Sequence, residues 1–460
     1  VVKGDKLAKM QSSNVAKSLE GSIAGVQVSS SSGQPGSSAS IRIRGLGSIS
    51  ASQSPLIVVD GVPYEGALNS ISTQDIETLN VLKDAAANSM YGARGSNGVI
   101  LITTKKGEKG VTKINFDARY GTNSRGVTPY NTISNDGEYY EMTWEAVRNN
   151  LVENSGMSYL TANNYASNNL VSQYLGYNTF SGVADTKIIN PLTGKLNPAA
   201  TTRKWADNWL KEPFQNGGRQ EYNLNMNGGT DNTSAFMSLS YLDDKGYIVN
   251  SDFTRLSARV KVDQKLGENI KAGANISYAK TGANSPIDQE GGTNYSNMFM
   301  FSQMIAPIYP VYSYDIETGA PLMDAKGNKQ YDFGSGLVKN GASTSNTRTW
   351  APQQNPLYTQ NENINKTTVD NLSARAYADI KFLKDFKLTV NFAYDVFNSQ
   401  ATQFATPLAG DALGYGYGYK EATNYAALNL NQLLTYTKKF GLHDINVLVG
   451  HESKSDEFWY

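Results

Sequence analysis

The stretch Phe386-Lys387-Leu388-Thr389-Val390-Asn391-Phe392-Ala393-Tyr394 sorts its residues onto two faces, Phe, Leu, Val, Phe and Tyr on one and Lys, Thr, Asn and Ala on the other. A period of two is the pleat of a β-strand. The same sorting returns in 114–120, 222–226, 256–262, 270–278 and 372–380, with weaker copies in 235–241, 426–436 and 445–449. That predicts about nine strands, the stronger ones reaching the ~9–11 residues that a tilted strand needs to cross a bilayer. Their connections alternate in length. Short turns are expected at 228–232, 266–268, 383–385 and 441–443, and long excursions at about 122–218, 242–252, 282–366 and 399–423. Short turns on one rim and long loops on the other are the asymmetry of an outer-membrane barrel. A soluble sandwich rarely carries a structureless connection longer than ~15 residues.

The charges fix which face is wet. Lys113, Arg119, Arg259, Lys261, Lys271, Arg375, Lys381 and Lys387 all share the polar parity of their strands. Turned to lipid, each would cost ~2–4 kcal/mol near the midplane, together more than the ~5–15 kcal/mol net stability of a domain. The polar face therefore meets water and the Ile/Ala/Leu/Val/Phe face an apolar phase. A half-buried soluble sandwich accounts for the alternation as well, so this orients the strands without settling function.

Composition excludes more than it asserts. The 460 residues carry 41 Lys+Arg against 41 Asp+Glu, so the basic footprint of a nucleic-acid binder is missing. No Cys and two His leave no disulfide framework, thiol nucleophile or zinc-ligand spacing. No cofactor or metal is expected, and no enzymatic activity. Mean hydropathy is −0.44 and no 18-residue apolar run occurs, which argues against a membrane-spanning helix but not a spanning barrel. Tyr at 28 and Gly at 42 suit strands and tight turns, in a soluble β-protein or a barrel alike. The chain opens Val1-Val2-Lys3-Gly4-Asp5, with neither an initiator Met nor an apolar leader, and is expected to begin inside a longer precursor.

Residues 1–107 read differently, as a compact α/β unit. A short helical segment at 15–19 is followed by strands at 26–28, 41–44, 55–59 and 77–82, an Ala-rich helix from Asp84 to about Gly92, and a last strand at 99–103. Gly45, Gly61, Gly92, Gly95 and Gly98 mark places needing positive φ or close backbone approach. Neither glycine-rich stretch fits a dinucleotide or phosphate loop. Arg42, Arg44, Asp60, Lys83, Asp84 and Arg94 lie without a His or Cys partner and read as semi-buried ion pairs inside a pore rather than as catalysts.

Several runs in this unit carry a resemblance: Gly25-Val26-Gln27-Val28, Ser32-Gly33-Gln34-Pro35-Gly36, Ile41-Arg42-Ile43-Arg44-Gly45, Pro55-Leu56-Ile57-Val58-Val59-Asp60-Gly61-Val62-Pro63, the segment from Asp75 through Lys83-Asp84 to Ala87, and Tyr91-Gly92-Ala93-Arg94-Gly95-Ser96-Asn97-Gly98 continuing to Gly107. In that order over about 90 residues they resemble the plug of a SusC/RagA-type TonB-dependent outer-membrane transporter. The resemblance implies an α/β plug domain, residues 1–107, inside a transmembrane antiparallel β-barrel of 22 strands, of which residues 108–460 would supply about nine. It implies a Gram-negative, Bacteroidetes-type outer membrane and import of oligosaccharides or oligopeptides through plug remodelling. The partners it implies are a SusD-like surface lipoprotein lid, the TonB-ExbB-ExbD complex, outer-membrane lipid, and a second transporter–lid pair to form a dimer. The TonB-contacting segment is not visible before Val1, and nine strands cannot close such a barrel, so the native chain is expected to be longer at both ends or completed by a second fragment.

Substrate contacts are expected from the plug loop 46–54, with Ser48, Ser50 and Gln53, and from the 282–366 excursion, with Tyr295, Asn297 and Tyr309. Aromatic faces stack on sugar rings and amides serve hydroxyls or peptide groups. That chemistry suits glycans and peptides equally. The rivals are a surface receptor or adhesin that binds without transport, and a secreted glycan-binding sandwich. A plug separates the first from a transporter, and detergent dependence the second.

Overall fold

A computed structural model describes residues 1–30, 32–43, 45, 53–83, 89–286 and 295–460. Arg44, Ser48, Ser50 and Asp84, with the start of the Ala-rich helix, lie outside the described residues.

The first hundred residues fold around a mixed sheet. Strands β1 (Val2–Lys3), β4 (Leu56–Val59), β5 (Val62–Pro63), β6 (Ile76–Leu82) and β7 (Val99–Thr104) take the order β1-β6-β7-β4-β5, and a separate pair joins β2 (Val26–Ser29) to β3 (Ser40–Ile43). Among the described residues of this sheet, β4 and β7 are the one parallel pair. That pair lies centrally, which is why Leu56-Ile57-Val58-Val59 reads as a continuous apolar run. A short helix, Gly4–Lys9, buries Leu7 against Ile76 and Leu79, and Val15, Leu19, Ile100 and Ile102 complete the core.

The wall follows. Strands β8 (Gly110–Asn123), β9 (Gly217–Gly229), β10 (Thr233–Lys245), β11 (Asp252–Leu266) and β12 (Ile270–Asn284) are followed by a small hairpin, β13 (Val338–Lys339) and β14 (Ala342–Ser343). Then come β15 (Ile364–Phe382), β16 (Phe386–Ala405), β17 (Tyr417–Phe440) and β18 (His443–Trp459). Apart from the hairpin they form one antiparallel sheet of nine strands among the described residues, each paired with its chain neighbour. The two faces separate as the alternation predicts. Leu224, Leu239, Val260, Ile276, Phe392 and Leu430 are exposed on one, while Asn223, Ser240, Arg259, Asn275, Arg375 and Asn429 are buried on the other. Aromatic rings gather at both rims of the apolar band. Tyr222 sits opposite Tyr241 toward the long loops, and Phe382, Phe386 and Tyr436 pack together by the short turns, with centroids 5.6 and 4.8 Å apart. Such girdles mark the interfaces of a membrane barrel.

Two expectations change. The strands run longer than the apolar alternation: β17 has 24 residues where 426–436 is expected, and the final long excursion shrinks from 399–423 to 406–416. Beyond the lipid band the ladder continues on polar residues, with Thr402 opposite Lys420 and Gln403 opposite Tyr419, because backbone groups need partners whatever the side chains are. The two longest excursions are also no loose loops. They fold together around an aromatic core of their own, in which Tyr140, Trp144, Tyr177, Trp205, Trp209 and Phe301 are buried. Helices Asp136–Ser155 and Tyr159–Asn169 support it from one excursion and Met298–Met304 and Pro356–Glu362 from the other. The two are tied by the Tyr177 hydroxyl, which donates to Asp332 at 2.7 Å, and buried Arg348, in the same excursion as Asp332, stands 3.4 Å from that carboxylate.

The orientation of the sheet gives a prediction. In the full-length protein in lipid, Leu239→Arg should lower unfolding free energy by ~2–4 kcal/mol in a urea titration, whereas Asn225→Lys on the wet face should change it little. Equal costs on the two faces would contradict the assignment.

Candidate functional site

The plug meets the wall at Asp60. The Val59-Asp60-Gly61 turn, with Asp60 and Gly61 both left-handed at φ 49° and 89°, points the carboxylate at β11 and β12. Thr104 on the neighbouring strand donates its backbone N–H at 2.9 Å and its hydroxyl as well. From the wall, Asn275 Nδ2 donates at 2.7 Å and Lys261 Nζ at 3.3 Å, while an Arg259 Nη2 stands 3.6 Å away. Burial pushes the Asp60 carboxyl up, but Lys261, then Arg259 and the Thr104 hydrogen bonds, outweigh it and hold the group below the usual carboxylate range. Arg259 and Lys261 share one face of β11 by the period of two.

Around this anchor, wall arginines reach plug main chain. Arg259 donates to the Asp75 carbonyl at 3.2 Å and Arg119 to the Ala8 carbonyl at 2.6 Å. Arg255, 1 % exposed, donates to the carbonyls of Asn69, Ile71 and Ser13 at 3.0, 3.2 and 3.3 Å. At the far end of the sheet, Arg94 pairs with Glu452 at 2.8 Å and Glu65 with Lys454 at 3.0 Å. The plug core contains only residues 2–102 and the loop core only residues 139–357, so among the described residues no apolar core spans the joint.

Above the plug lies a cavity of about 900 Å3. Ser32, Gly33, Gln34 and Pro35 form its plug side, and Arg125, Tyr247, Phe299 and Gln303 belong to the wall rim and excursions. Gln34 Nε2 donates to the Ser285 hydroxyl at 2.6 Å, fixing the plug loop to the rim. Phe214 stacks with Tyr247 and Phe299 at centroid distances of 4.7 and 5.5 Å, and those two rings lie 6.4 Å apart, all three near-parallel. Gly36 lets the loop approach, since a Cβ there would fall 2.1 Å from the Phe253 ring on a backbone at φ 73°. The volume lies within the ~300–1,000 Å3 of ligand sites.

The other sequence candidates fall out variously. Arg42 is half-buried on β3, opposite Gln27. Lys83 donates to the Ala24 carbonyl. Gly45, Gly92 and Gly98 are left-handed, and a Cβ on Gly98 would fall 2.6 Å from Ile43. Gly95 is buried and Tyr91 half-buried. Of the residues expected to touch substrate, Gln53 is half-buried and outside the cavity lining, and Tyr295 stands edge-on to Trp350 at 5.4 Å. Asn297 caps helix Met298–Met304 by accepting from the Met300 N–H. Tyr309 is 2 % exposed and donates to the Leu175 carbonyl at 3.1 Å within the loop core, so its hydroxyl is committed there. Composition and spacing gave Arg125, Tyr247 and Phe299 no signal. Gln34 is visible only within the Ser32-Gly33-Gln34-Pro35-Gly36 run that carries the plug resemblance.

A plug held by polar contacts inside an inward-wet strand wall defines a class, the TonB-dependent outer-membrane receptors. Residues 1–99 match the TonB-dependent Receptor Plug Domain. TonB-dependent receptor SusC of Bacteroides thetaiotaomicron is 29% identical over 98% of this chain and 40% of its own length. TonB-dependent receptor P3 of Formosa agariphila is 28% identical over 98% of this chain and 37% of its own. The solved structure of the RagAB peptide transporter superposes with a TM-score of 0.71 at 23% identity, over 99% of this chain and 48% of that one. The chain is similar to these receptors, and it spans about two fifths of the length of the curated relatives.

Three predictions concern the joint and the plug loop beside it. Asp60→Ala leaves Lys261 and Arg259 without their carboxylate and should weaken plug docking by ~3–5 kcal/mol, read as faster proteolysis or amide exchange in residues 56–104 of the full-length protein. Because the folded carboxyl titrates below its unfolded value of ~3.9, its contribution is complete above that pH and is lost as pH falls through the lower folded value. Plug protection should thus be flat from neutral pH to about 4 and fall below it, and Asp60→Asn should remove that step. Gly36→Ala should cost ~1–3 kcal/mol by pushing the plug loop off Phe253, and the smaller Phe253→Leu should recover part of that loss.

Proposed function

We propose that the protein binds an oligomeric nutrient between plug loop and rim and admits it across the outer membrane by an energised rearrangement of the plug. The observation that carries this is the chemistry of the joint. Ion pairs and hydrogen bonds to a wet wall exchange partners with water as the plug shifts, whereas a shared apolar core would have to be torn open. A barrel that served only as a surface receptor would need no such joint. In this reading the TonB-ExbB-ExbD complex supplies the pull and a SusD-like lipoprotein closes the chamber from outside. The substrate is an oligosaccharide or an oligopeptide. The solved RagAB structure is named a peptide transporter, the resemblance to SusC/RagA-type transporters implies either class, and rings beside Gln and Ser groups in the chamber serve either.

Cells expressing the full-length protein, given labelled oligosaccharides and peptides, should accumulate one of them, and dissipating the proton gradient should abolish accumulation while surface binding persists. Asp60→Ala should alter uptake more than binding. Binding with no energy-dependent accumulation of any oligomer would favour the receptor or adhesin reading.

A further inference from the structure

The body made by the long excursions holds a second cavity of about 850 Å3, which no plug residue lines and which shares no lining residue with the chamber above the plug. Its floor is a run of rings. Tyr312 lies 5.3 Å from Tyr331, Tyr331 lies 5.3 Å from Tyr358, and Tyr358 lies 5.0 Å from Phe333, with interplanar angles between 43° and 86°. All four side chains are half-buried. The contrast with Phe214, Tyr247 and Phe299 is informative. Near-parallel rings cover one another's faces, whereas tilted and edge-on rings leave faces turned outward.

Polar groups hold the rings. Asn361 Nδ2 donates to the Tyr331 hydroxyl at 2.7 Å, the Ser313 hydroxyl donates to the Tyr331 carbonyl at 2.8 Å, and the Lys329 ammonium lies 4.9 Å from the Tyr312 centroid. A preset shelf loses little freedom when a ligand arrives. Around it stand three carboxylates, Glu212, Asp324 and Glu362, against one cation, Lys329. Asp324 is taken up by its own turn, accepting from the Lys326 and Asn328 N–H groups at 2.8 Å each. Glu212 and Glu362 are exposed, and among the described residues neither has an ion-pair partner.

The lining selects a chemistry. A sugar ring offers C–H groups on its faces, which suit tyrosine, and hydroxyls on its edges, which donate to carboxylates and exchange bonds with amides such as Gln330. A sulfated or uronic chain would bring anions against an excess of carboxylates. A peptide is usually held by an unpaired strand edge or by apolar pockets, and Leu322 and Val338 are the only aliphatic side chains in the lining. We propose that this cleft is a second binding site, independent of the plug, for a neutral oligosaccharide. It holds glycan at the outer surface and needs neither TonB nor plug movement, so it stands apart from the import reading.

The test is calorimetric titration of the full-length protein in detergent with neutral hexasaccharides, namely maltohexaose, cellohexaose and laminarihexaose, alongside a hexa-uronate and a hexalysine peptide. At least one neutral hexamer should bind more tightly than the hexa-uronate. Tyr331→Ala and Glu362→Gln should each raise its Kd about tenfold, while Tyr331→Phe, which keeps the ring, should leave Kd within about twofold. Unchanged melting would show that the variants are folded. The proposal is overturned if no neutral hexamer binds, if Tyr331→Ala leaves Kd unchanged, or if hexalysine alone binds. Loss of this binding with energised uptake intact would leave the import reading standing.

Discussion

Lipid on one side of a strand wall forces every charge on that wall to the other side, and those charges then need partners. Lys261 and Arg259 point inward because the apolar phase excludes them, and inside they would face each other's repulsion. Asp60 on the plug supplies the missing anion, with Asn275 and Thr104 completing its coordination. The contact that seats the plug thus follows from the same solvation rule that orients the strands. Placing the anion on the plug rather than on the wall makes the wall's electrostatic balance depend on plug position.

That dependence has a geometric counterpart. Plug and long excursions each close an apolar core of their own, and the wall between them carries few apolar side chains on its inner face. The cores supply rigidity where shape must persist, in the α/β unit and in the aromatic body over the rim. The joints between them are polar. The cavity beside Gln34, Tyr247 and Phe299 forms where these bodies meet, so its shape follows their relative position more than any side-chain rotamer.

Much of this was legible in the residues. Period-two sorting in 386–394 and its copies fixes both the strands and their wet face, because lipid enforces the pattern along most of the band, with Gln432 and His451, opposite each other on the lipid-facing parity, as departures. The ordered runs from Gly25 to Gly107 identify the plug. What was hidden obeys other rules. The strand extensions above the membrane carry no apolar alternation, since backbone pairing is indifferent to side chains there. The excursions look like loops because their Asn, Gly and Ser content masks a core built from widely separated aromatics. Four of the five Trp residues, at 144, 205, 209 and 350, lie in those two excursions, and that concentration was the available signal. Tyr309 was chosen for its chemistry, yet an aromatic with a hydroxyl serves equally well as a core residue with one buried hydrogen bond. Asp60 emerged as a charge in a pore, but its partners lie some 200 residues away in the chain, beyond anything spacing reveals.

Arg255 adds something of a different kind. Its guanidinium grips three carbonyl oxygens and, among the described residues, no plug side chain. Every residue has a carbonyl, so the identities of Ser13, Asn69 and Ile71 are immaterial to that grip, and only the path of their backbone matters. The wall therefore registers whether this part of the plug is folded, not which letters it is written in. Mutation at those positions can drift without loosening the hold, while a local unwinding of the same segments dissolves it at once.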